Sequence, residues 1–591
     1  MTVARYAMIV GGERGEREML AEVLGSGPSW SPPLGGSMSI GLADRRTTCI
    51  DLDGRGVVVG DLYPRYGPAS PVASLDSTEV SAIVDSAGGH LVERYWGNYV
   101  ALLSGENRSW VLRDPSGAVQ CVHARIGHAH VFASDADVLA GSAIWTPRVA
   151  WQALARHLHS AGLPAATTAI EGLCELLPGF RAEIRQGEVV TEPVWSPWDH
   201  VGDQASFDRC AAADTLRRAV GQAVAASVAG HSRMAIGISG GLDSSIVAAM
   251  AMRRKADLVA ITLHTGEPDG DDYDYACHLS EVLDLPLLVA QYSVADVDFS
   301  RAASPDLPRP TSRAEAQAYN AAIRRVAHAH HADGFLSGNG GDNVFGYSQT
   351  ATALTDRLLA EGIGPRAMRT LVDICALNGC GPVAALRNAA RKLPTSARRY
   401  AWSPDPMLLS AECREECAQV SPTHPWLDAP RKILPGKAAH VAQLLRIQNH
   451  LQANEGALGI DVATPLMTQP VIEACLAIPS WEWCAGGRDR SVAREAFREV
   501  LPPAIVARRT KGGPDGFCSR LIHTRRHEIA ERLLDGRIAA AGILDREALV
   551  GILASGRQIA GTEFVRILTL LEAEAWCERW EGMAMQVRRR V

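Results

Sequence analysis

The chain has 591 residues, a formal net charge of −7 and an ordinary globular balance of 47% hydrophobic and 21% charged residues. Its length exceeds what one compact core holds and predicts two large domains, while its charge excludes the basic footprint of a nucleic-acid-binding protein. No apolar run approaches the roughly 18 residues of a membrane helix, and thirteen cysteines without a secretory segment predict reduced thiols in the cytoplasm.

The first 200 residues form the first predicted domain and are rich in strand signals. Short apolar segments between turn residues predict strands at 6–10, 56–59, 99–103, 110–112 and 130–133, and helices near 16–24 and 80–95. Residues 202–206, Gly-Asp-Gln-Ala-Ser, are typical of a linker.

Residues 207–591 form the second predicted domain, where strands and helices alternate. A long helix at 207–229 precedes strands predicted at 234–238, 258–263, 287–289 and 334–336, and the chain after about 350 is mostly helical. This alternation is typical of a doubly wound parallel sheet with helices on both faces, so the fold class is α/β.

Residues 239–245, Ser-Gly-Gly-Leu-Asp-Ser-Ser, join the strand at 234–238 to a helical run. Gly240 and Gly241 allow the backbone N–H groups to point into one concavity, and the helix start adds unpaired donors. Asp243 would repel phosphate unless it holds Mg²⁺. Three serine hydroxyls can add donors: Ser239, Ser244 and Ser245. The segment predicts a phosphate site, and a plain turn with a serine helix cap is the alternative.

Residues 335–347, Phe-Leu-Ser-Gly-Asn-Gly-Gly-Asp-Asn-Val-Phe-Gly-Tyr, again follow a short strand. This segment resembles the SGxGxDxxxGG loop of asparagine synthetases and β-lactam synthetases. The earlier segment, residues 239–245, resembles the SGGxDS loop of the ATP-pyrophosphatase superfamily. Members of that superfamily cleave ATP between the α and β phosphates to adenylate a substrate. The resemblance implies ATP and Mg²⁺, with Asp342 as the second Mg²⁺ carboxylate, although Asp342 as a helix cap is an alternative. It also implies phosphate contacts from Gly338, Asn339 and Gly340.

A third segment of the resemblance lies at 487–490, 501–503 and 508–513. In the β-lactam synthetase branch, a lysine near the first position contacts phosphate, and a lysine near the last stabilises charge during acyl transfer. Here Arg490 stands at the first position and Lys511 matches the second. Two glycines follow Lys511, which is typical of a mobile loop that closes over substrate, and a surface lysine is the alternative.

The N-terminal half of the sequence indicates where the nitrogen of the new amide bond comes from. Asparagine synthetases carry a glutaminase domain whose nucleophilic cysteine directly follows the initiator methionine, whereas here Thr2 follows Met1 and the first cysteine is Cys49. The resemblance implies an Ntn-hydrolase-like αββα sandwich for residues 1–200, without glutaminase activity. We therefore expect the attacking nitrogen to be an amine of the substrate.

Two classes of related enzymes use an amine of the substrate as the attacking nitrogen. β-Lactam synthetases deprotonate their amine with a Tyr–Glu pair. Glu455 is the candidate for the glutamate, whereas the tyrosine has no clear counterpart, although Tyr347 lies close to the acidic loop. Lasso-peptide cyclases join the α-amine of a peptide to an Asp or Glu side chain, and residues 93–101, 112–117 and 176–179 resemble segments of that family. A peptide α-amine has a pKa near 7.7–8.0, so roughly a tenth is neutral at pH 7 without a strong base.

The sequence is most similar to the lasso-peptide cyclases. This implies a macrolactam synthetase acting on a leader-cleaved precursor peptide, with a leader-recognition protein and a leader peptidase as further partners. A β-lactam synthetase-like or other small-molecule ligase, a glutamine-independent asparagine synthetase-like enzyme and an inactive nucleotide-binding scaffold are the alternatives.

Overall fold

A computed structural model describes most of the chain, with residue-level detail for 5–25, 39–44, 47–142, 144–185, 187–202, 207–264, 272–394, 400–509, 512–513 and 515–590. At 452–457 and 588–590 only the backbone is described. The predicted linker at 202–206 lies outside these ranges except for Gly202. No helix in these ranges has the length and hydropathy that crossing a bilayer requires.

The described strands are β1 (Tyr6–Gly11), β2 (Ser39–Ala43), β3 (Cys49–Asp51), β4 (Gly56–Pro64), β5 (Tyr95–Ser104), β6 (Ser109–Arg113), β7 (Val122–Ile126), β8 (Ala129–Ala133), β9 (Leu173–Glu175), β10 (Phe180–Arg185), β11 (Glu188–Pro193), β12 (Met234–Gly237), β13 (Leu258–His264), β14 (Leu287–Gln291), β15 (Gly334–Leu336) and β16 (Asp461–Ala463).

The described α-helices are α1 (Arg14–Leu24), α2 (Ser77–Asp85), α3 (Gly89–Arg94), α4 (Ala136–Gly141), α5 (Trp151–His159), α6 (Arg209–Val228), α7 (Leu242–Met252), α8 (Asp272–Leu283), α9 (Ala316–Ala329), α10 (Gly341–Val344), α11 (Thr352–Glu361), α12 (Pro365–Asn378), α13 (Pro382–Ala390), α14 (Ala411–Ala418), α15 (Pro435–Ala457), α16 (Gln469–Leu476), α17 (Ser491–Ala496), α18 (Pro503–Ala507), α19 (Asp515–Thr524), α20 (Arg526–Leu534), α21 (Arg537–Ala540), α22 (Arg546–Ala554) and α23 (Thr562–Arg590).

The first half contains two antiparallel sheets, with strand orders β2-β1-β8-β7-β9 and β11-β10-β6-β5-β4-β3. Alternate residues of β1 face two different cores because successive side chains of a strand point to opposite sides. Tyr6 and Met8 share a core with Leu102 of the second sheet. Ala7 shares the other core with Leu20 of α1. The mixed α/β fold is thus confirmed. This stacking is what an αββα sandwich requires, and the Ntn-hydrolase assignment of this half stays a prediction.

One predicted helix of this half is wrong in its extent. The segment 80–95 is divided between α2 and α3, and β5 begins at Tyr95. Ala87 and Gly88 interrupt the helical backbone with φ values of 48° and 91°. Glycine adopts such a left-handed conformation without the steric penalty of a Cβ, so Gly88 permits a new helix to start there.

The second half contains a parallel sheet with strand order β14-β13-β12-β15-β16. The chain continues from β12 to β13 on one side and later returns to β15 on the other side. A sheet of this kind binds ligands at the carboxyl ends of the strands where the strand order reverses. That point lies between β12 and β15, which are followed by α7 and α10.

A buried carboxylate connects the two halves of the chain. Glu473 in α16 accepts a hydrogen bond of 3.0 Å from the indole Nε1 of Trp195 and forms an ion pair with Arg65. His200 stacks on Trp195 at 5.4 Å between ring centroids. These contacts hold the end of the first half against a helix of the second.

Candidate active site

The first loop, residues 239–245, lies where β12 ends and α7 begins. Gly241 is the residue before α7, and Asp243 stands in the first turn of that helix with 9% of its surface exposed. Gly240 has a φ of +62° and packs against Tyr275, where a Cβ would clash. The loop therefore presents a helix start and a carboxylate to the carboxyl edge of the sheet, as predicted from its sequence.

Not every residue of this loop faces the cavity at that edge. Ser239, Gly241, Asp243 and Ser244 line it. Ser245 is fully buried, and its Oγ donates a hydrogen bond of 2.7 Å to the Gly241 carbonyl. The prediction of Ser245 as a phosphate donor is corrected, because its hydroxyl is used within the first turn of α7.

The second loop, residues 337–342, follows β15 and lies directly against the first. A Cβ on Gly338 would stand 2.7 Å from the backbone nitrogen of Ser244, and one on Gly341 would stand 2.8 Å from Oδ1 of Asp243. Asn339 lines the cavity. Gly340, with a φ of +84°, packs against Met467 instead and gives the turn into α10. The close approach of the two loops thus depends on glycines.

Replacing Gly341 by alanine is expected to separate the loops, because the new methyl group would overlap the Asp243 carboxylate. A displacement of about 1 Å at a reacting site costs roughly a hundredfold in rate, so we expect pyrophosphate release to fall by about that factor. Gly551→Ala is the matched control, since that glycine lies in α22 with open space around it. Wild-type rates in Gly341→Ala would contradict the role given to this glycine.

Arg490 connects the acidic residues of the two loops. Its Nη1 donates to Oδ2 of Asp243 at 2.9 Å and to Oδ1 of Asp342 at 2.6 Å. Its Nε donates to Oδ2 of Asp489 at 2.8 Å. Arg490 has a left-handed backbone with a φ of 51° and directly precedes α17. One guanidinium therefore meets three carboxylates, two of them from separate strand-end loops.

The electrostatics of this cluster follow from burial and charge. Burial acts to lower the pKa of Arg490, but the carboxylates of Asp243, Asp342 and Asp489 outweigh it and raise that pKa above its usual value. Burial acts to raise the pKa of Asp489, but Arg490 and Arg494 outweigh it and lower that pKa. The Asp489 carboxylate is thus kept charged by its two neighbouring guanidinium groups.

The residues at this edge fit Mg²⁺ by their chemistry. Asp243 and Asp342 present carboxylate oxygens within hydrogen-bond reach of the same nitrogen atom of Arg490. In the described part of the chain, no group of three or more His, Cys, Asp or Glu side chains could hold a metal ion. Mg²⁺ commonly takes one or two protein carboxylates and completes its shell with waters and substrate phosphates. Asp243 and Asp342 would be its protein ligands.

The cavity at the sheet edge has a volume of about 710 Å³, which lies in the range of small-molecule sites. Its lining comes from both loops, from α9, from the end of α12 and from the segment around Arg490. Tyr347 also lines it, with its ring centroid 5.6 Å from the Arg490 guanidinium carbon. The Tyr347 hydroxyl accepts a hydrogen bond of 2.8 Å from Gln349.

Two other predicted site residues lie outside the described side chains. Lys511 falls outside the described ranges, although Gly512 and Gly513 next to it line the cavity. Glu455 belongs to the last part of α15, residues 452–457, where only the backbone is described. The role of each therefore stays a prediction.

Sequence reasoning missed an anchor for the segment that carries Lys511. Arg508 donates a hydrogen bond of 3.0 Å to the carbonyl of Ser239 and forms an ion pair with Asp272. Asp272 also accepts a hydrogen bond of 3.1 Å from the backbone nitrogen of Gly512. Asp272 also lines the cavity and is therefore part of the site.

Asp489 was also missed as a functional residue. It binds both Arg490 and Arg494, the latter at 2.7 Å. The sequence Arg488-Asp489-Arg490 contains a signal for this contact, because an acid between two cations is a natural ion-pair partner. Which cation it would bind depends on the left-handed turn at Arg490, and the sequence did not predict that turn.

One comparison with known proteins places the chain in a family. Residues 215–578 match the family model described as asparagine synthase. No curated protein matches the chain. A solved structure titled as the allosteric regulatory enzyme of purine biosynthesis is similar at 12% identity, covering 48% of this chain and 65% of that one with a TM-score of 0.21.

A second solved structure is a glutamine phosphoribosylpyrophosphate amidotransferase from B. subtilis complexed with ADP and GMP. It is 11% identical, covers 73% of this chain and 99% of that one, and has a TM-score of 0.20. The family assignment rests on the matched model, which spans more than half of the sequence. The chain therefore belongs to the asparagine synthase family.

Proposed function

We propose that this protein is an ATP-dependent ligase that forms an amide bond and releases AMP and pyrophosphate. The observation that carries the proposal is the meeting of Asp243 and Asp342, from two strand-end loops, on one cavity beside Arg490. The family of the chain, which forms amides with ATP, supports the same reaction class.

The proposed reaction has two steps. An oxygen of the substrate carboxylate bonds to the α-phosphorus of ATP, and the bond to the bridging oxygen breaks to release pyrophosphate. The amine nitrogen then bonds to the activated acyl carbon, loses a proton, and displaces AMP. Holding the amine and the acyl group in one cavity provides much of the rate enhancement, because the second step becomes intramolecular.

The residues of the cavity have distinct proposed roles. The first turn of α7 offers N–H groups and a positive dipole end to the phosphates. Bound Mg²⁺ would neutralise phosphate charge, and Asp243 and Asp342 would hold it. Arg490 positions both carboxylates and carries a positive charge to the phosphate end of the cavity. Lys511 would stabilise the negative charge that develops on the acyl oxygen.

We infer that the amine comes from the substrate. Three cysteines lie in the first half among the described residues, and burial raises the pKa of Cys49 to about 11 and that of Cys121 to about 11. Burial also raises the pKa of Cys174. A nucleophilic cysteine requires a lowered pKa, so none of these three has the environment of a glutaminase nucleophile. Thr2, which stands where asparagine synthetases carry their nucleophilic cysteine, lies outside the described residues.

We propose a leader-cleaved precursor peptide as the substrate. The enzyme would adenylate an Asp or Glu side chain and close a macrolactam ring with the N-terminal α-amine, giving a lasso peptide. The resemblance of residues 93–101, 112–117 and 176–179 to lasso-peptide cyclases supports this choice. A leader-recognition protein and a leader peptidase are the proposed partners.

The test uses the full-length protein with MgATP and a synthetic linear peptide that has a free α-amine and an internal aspartate. We expect peptide-dependent pyrophosphate release and a product lighter than the peptide by one water in mass spectrometry. An N-acetylated peptide is the matched control, because it can be adenylated but cannot close the ring. Absence of pyrophosphate release with every carboxylate substrate would contradict the ligase proposal.

Other substrates separate the remaining alternatives. Asparagine formed from aspartate and an ammonium salt would indicate a glutamine-independent asparagine synthetase-like enzyme instead. Cyclisation of a small β-amino acid would indicate a β-lactam synthetase-like enzyme, for which Tyr347 on the cavity wall is a candidate member of the base pair.

A further inference from the structure

Helix α12 carries an exposed apolar stripe. Met368 and Val372 are 59% and 61% exposed, and Ala376 continues the same side of the helix at the next four-residue step. Residues four apart lie on one side of an α-helix, so these three side chains form a continuous line. The opposite side is buried, with Leu371 and Ile374 in the core that α12 shares with α11 and α13.

The neighbouring segments add exposed apolar side chains. Ile363, before α12, is 96% exposed, and Val383 and Leu386 of α13 are 77% and 46% exposed. We call the exposed side chains of Ile363, Met368, Val372, Val383 and Leu386 the apolar face. Single exposed apolar residues are ordinary, but several of them on two helices that share one core are typical of an interaction site.

The stripe ends at the proposed active site. Ala376 and Leu377, in the last turn of α12, line the same cavity as Asp243 and Arg490. Gly487, three residues before Arg490, is packed so closely on α12 that a Cβ there would stand 2.8 Å from the Cβ of Ala376. A ligand lying along the stripe would therefore reach the cavity without leaving the protein surface.

The surroundings of the apolar face are cationic. Between residues 361 and 394 the sequence has five basic residues, Arg366, Arg369, Arg387, Arg391 and Lys392, and two acidic residues, Asp373 and Glu361, the latter 3.9 Å from Arg366. All five basic residues are exposed. Such a surface attracts an acidic ligand, and it would repel an identical surface on a second copy of the chain. The charge therefore favours an acidic peptide over self-association.

We propose that the apolar face of α12 and α13 binds the tail of an acidic, apolar-rich substrate peptide and directs its reacting segment into the cavity past Ala376. This inference rests on the proposed function and adds the location of the peptide. Binding along the face would order the tail before the chemical step, and the buried apolar area would offset part of the backbone entropy that the tail loses.

The test compares Val372→Asp with Val550→Asp. Both positions are exposed valines in helices, at 61% and 48%, but Val550 lies in α22 and does not line the cavity. The probe is a fluorescein-labelled linear peptide with a free α-amine, an internal aspartate and a tail that alternates leucine with glutamate. We expect Val372→Asp to weaken its binding, measured by anisotropy, by about tenfold or more, with Val550→Asp unchanged.

Steady-state kinetics add a readout that a merely structural effect would not produce. Val372→Asp should raise the KM for the long peptide while leaving the KM for ATP and the rate with a tail-less peptide unchanged. Salt should weaken long-peptide binding to the wild type, because screening reduces attraction by the exposed arginines. Equal long-peptide affinity in Val372→Asp and wild type would overturn the inference.

The outcomes also separate this inference from the proposed function. Loss of peptide binding in Val372→Asp, in a protein that forms no amide with any substrate, would support the surface and contradict the ligase. Amide formation from the long peptide at wild-type KM in Val372→Asp would support the ligase and contradict the surface. A wild-type dimer that Val372→Asp converts to a monomer, in sedimentation experiments, would assign the face to self-association and overturn the inference.

Discussion

Replacing Asp243 by asparagine is expected to lower pyrophosphate release by on the order of a thousandfold, the upper range for loss of one charge-stabilising group at a reacting centre. Asparagine has nearly the same shape but removes the charge that both Arg490 and a bound Mg²⁺ would use. Asp243 is 9% exposed and lies against Gly341, so its carboxylate is held where the two loops meet.

The control for this variant is Asp274→Asn. Asp274 is exposed on α8 and does not line the cavity. Pyrophosphate release is measured over a range of Mg²⁺ concentrations, with circular dichroism to check folding. Asp342→Asn should show a similar loss, and the double variant should lose little more, because residues that act as one unit are not additive. Near-wild-type release in a folded Asp243→Asn protein would rule out the proposed metal site.

Replacing Arg490 by alanine is expected to affect both stability and activity. The Arg490 side chain is 10% exposed, and its guanidinium neutralises Asp243, Asp342 and Asp489. Removing one partner of a buried ion pair typically costs about 3–5 kcal/mol, because the remaining charges lose their compensation. We expect a lower melting temperature and a fall in pyrophosphate release of roughly a hundredfold or more. Arg490→Lys should recover part of both, since a lysine retains the charge but not the forked geometry.

Added Mg²⁺ provides a second measurement on the same variant. If Asp243 and Asp342 bind the metal, Mg²⁺ should raise the melting temperature of Arg490→Ala more than that of the wild type, because it replaces the missing cation. Arg498→Ala is the matched control, as Arg498 is exposed and does not line the cavity. A melting temperature of Arg490→Ala equal to that of the control, with and without Mg²⁺, would contradict the proposed cluster.

The predicted strands differ in how well the sequence located them. The largely buried strands β12, β13 and β15 were predicted within one residue at each end, because a short apolar run bounded by turn residues has few other interpretations. Strand β11 was missed, since half of the residues of Glu188–Pro193 are polar and none is buried. An edge strand of this kind is stabilised by its hydrogen bonds to β10, which the sequence does not display.

In the candidate site, too, the sequence predicted some features and missed others. The position of Asp243 in the first turn of a helix was evident locally, because glycines after a buried strand and before a helical run favour that turn. The burial of the Ser245 hydroxyl was not evident, because it depends on which serine faces the cavity after the helix has formed.

The sequence by itself determined the local parts of this protein: the two glycine-rich loops, the strands that precede them and the residue types that bind phosphate and metal. Local patterns suffice there because turns, helix starts and buried strands are set by neighbours in the chain. Only the tertiary structure decided that Arg490 lies between Asp243 and Asp342, which are 247 and 148 residues away along the chain. It also decided that the exposed stripe of α12 ends at their cavity, because such contacts depend on how the elements pack and not on any local pattern.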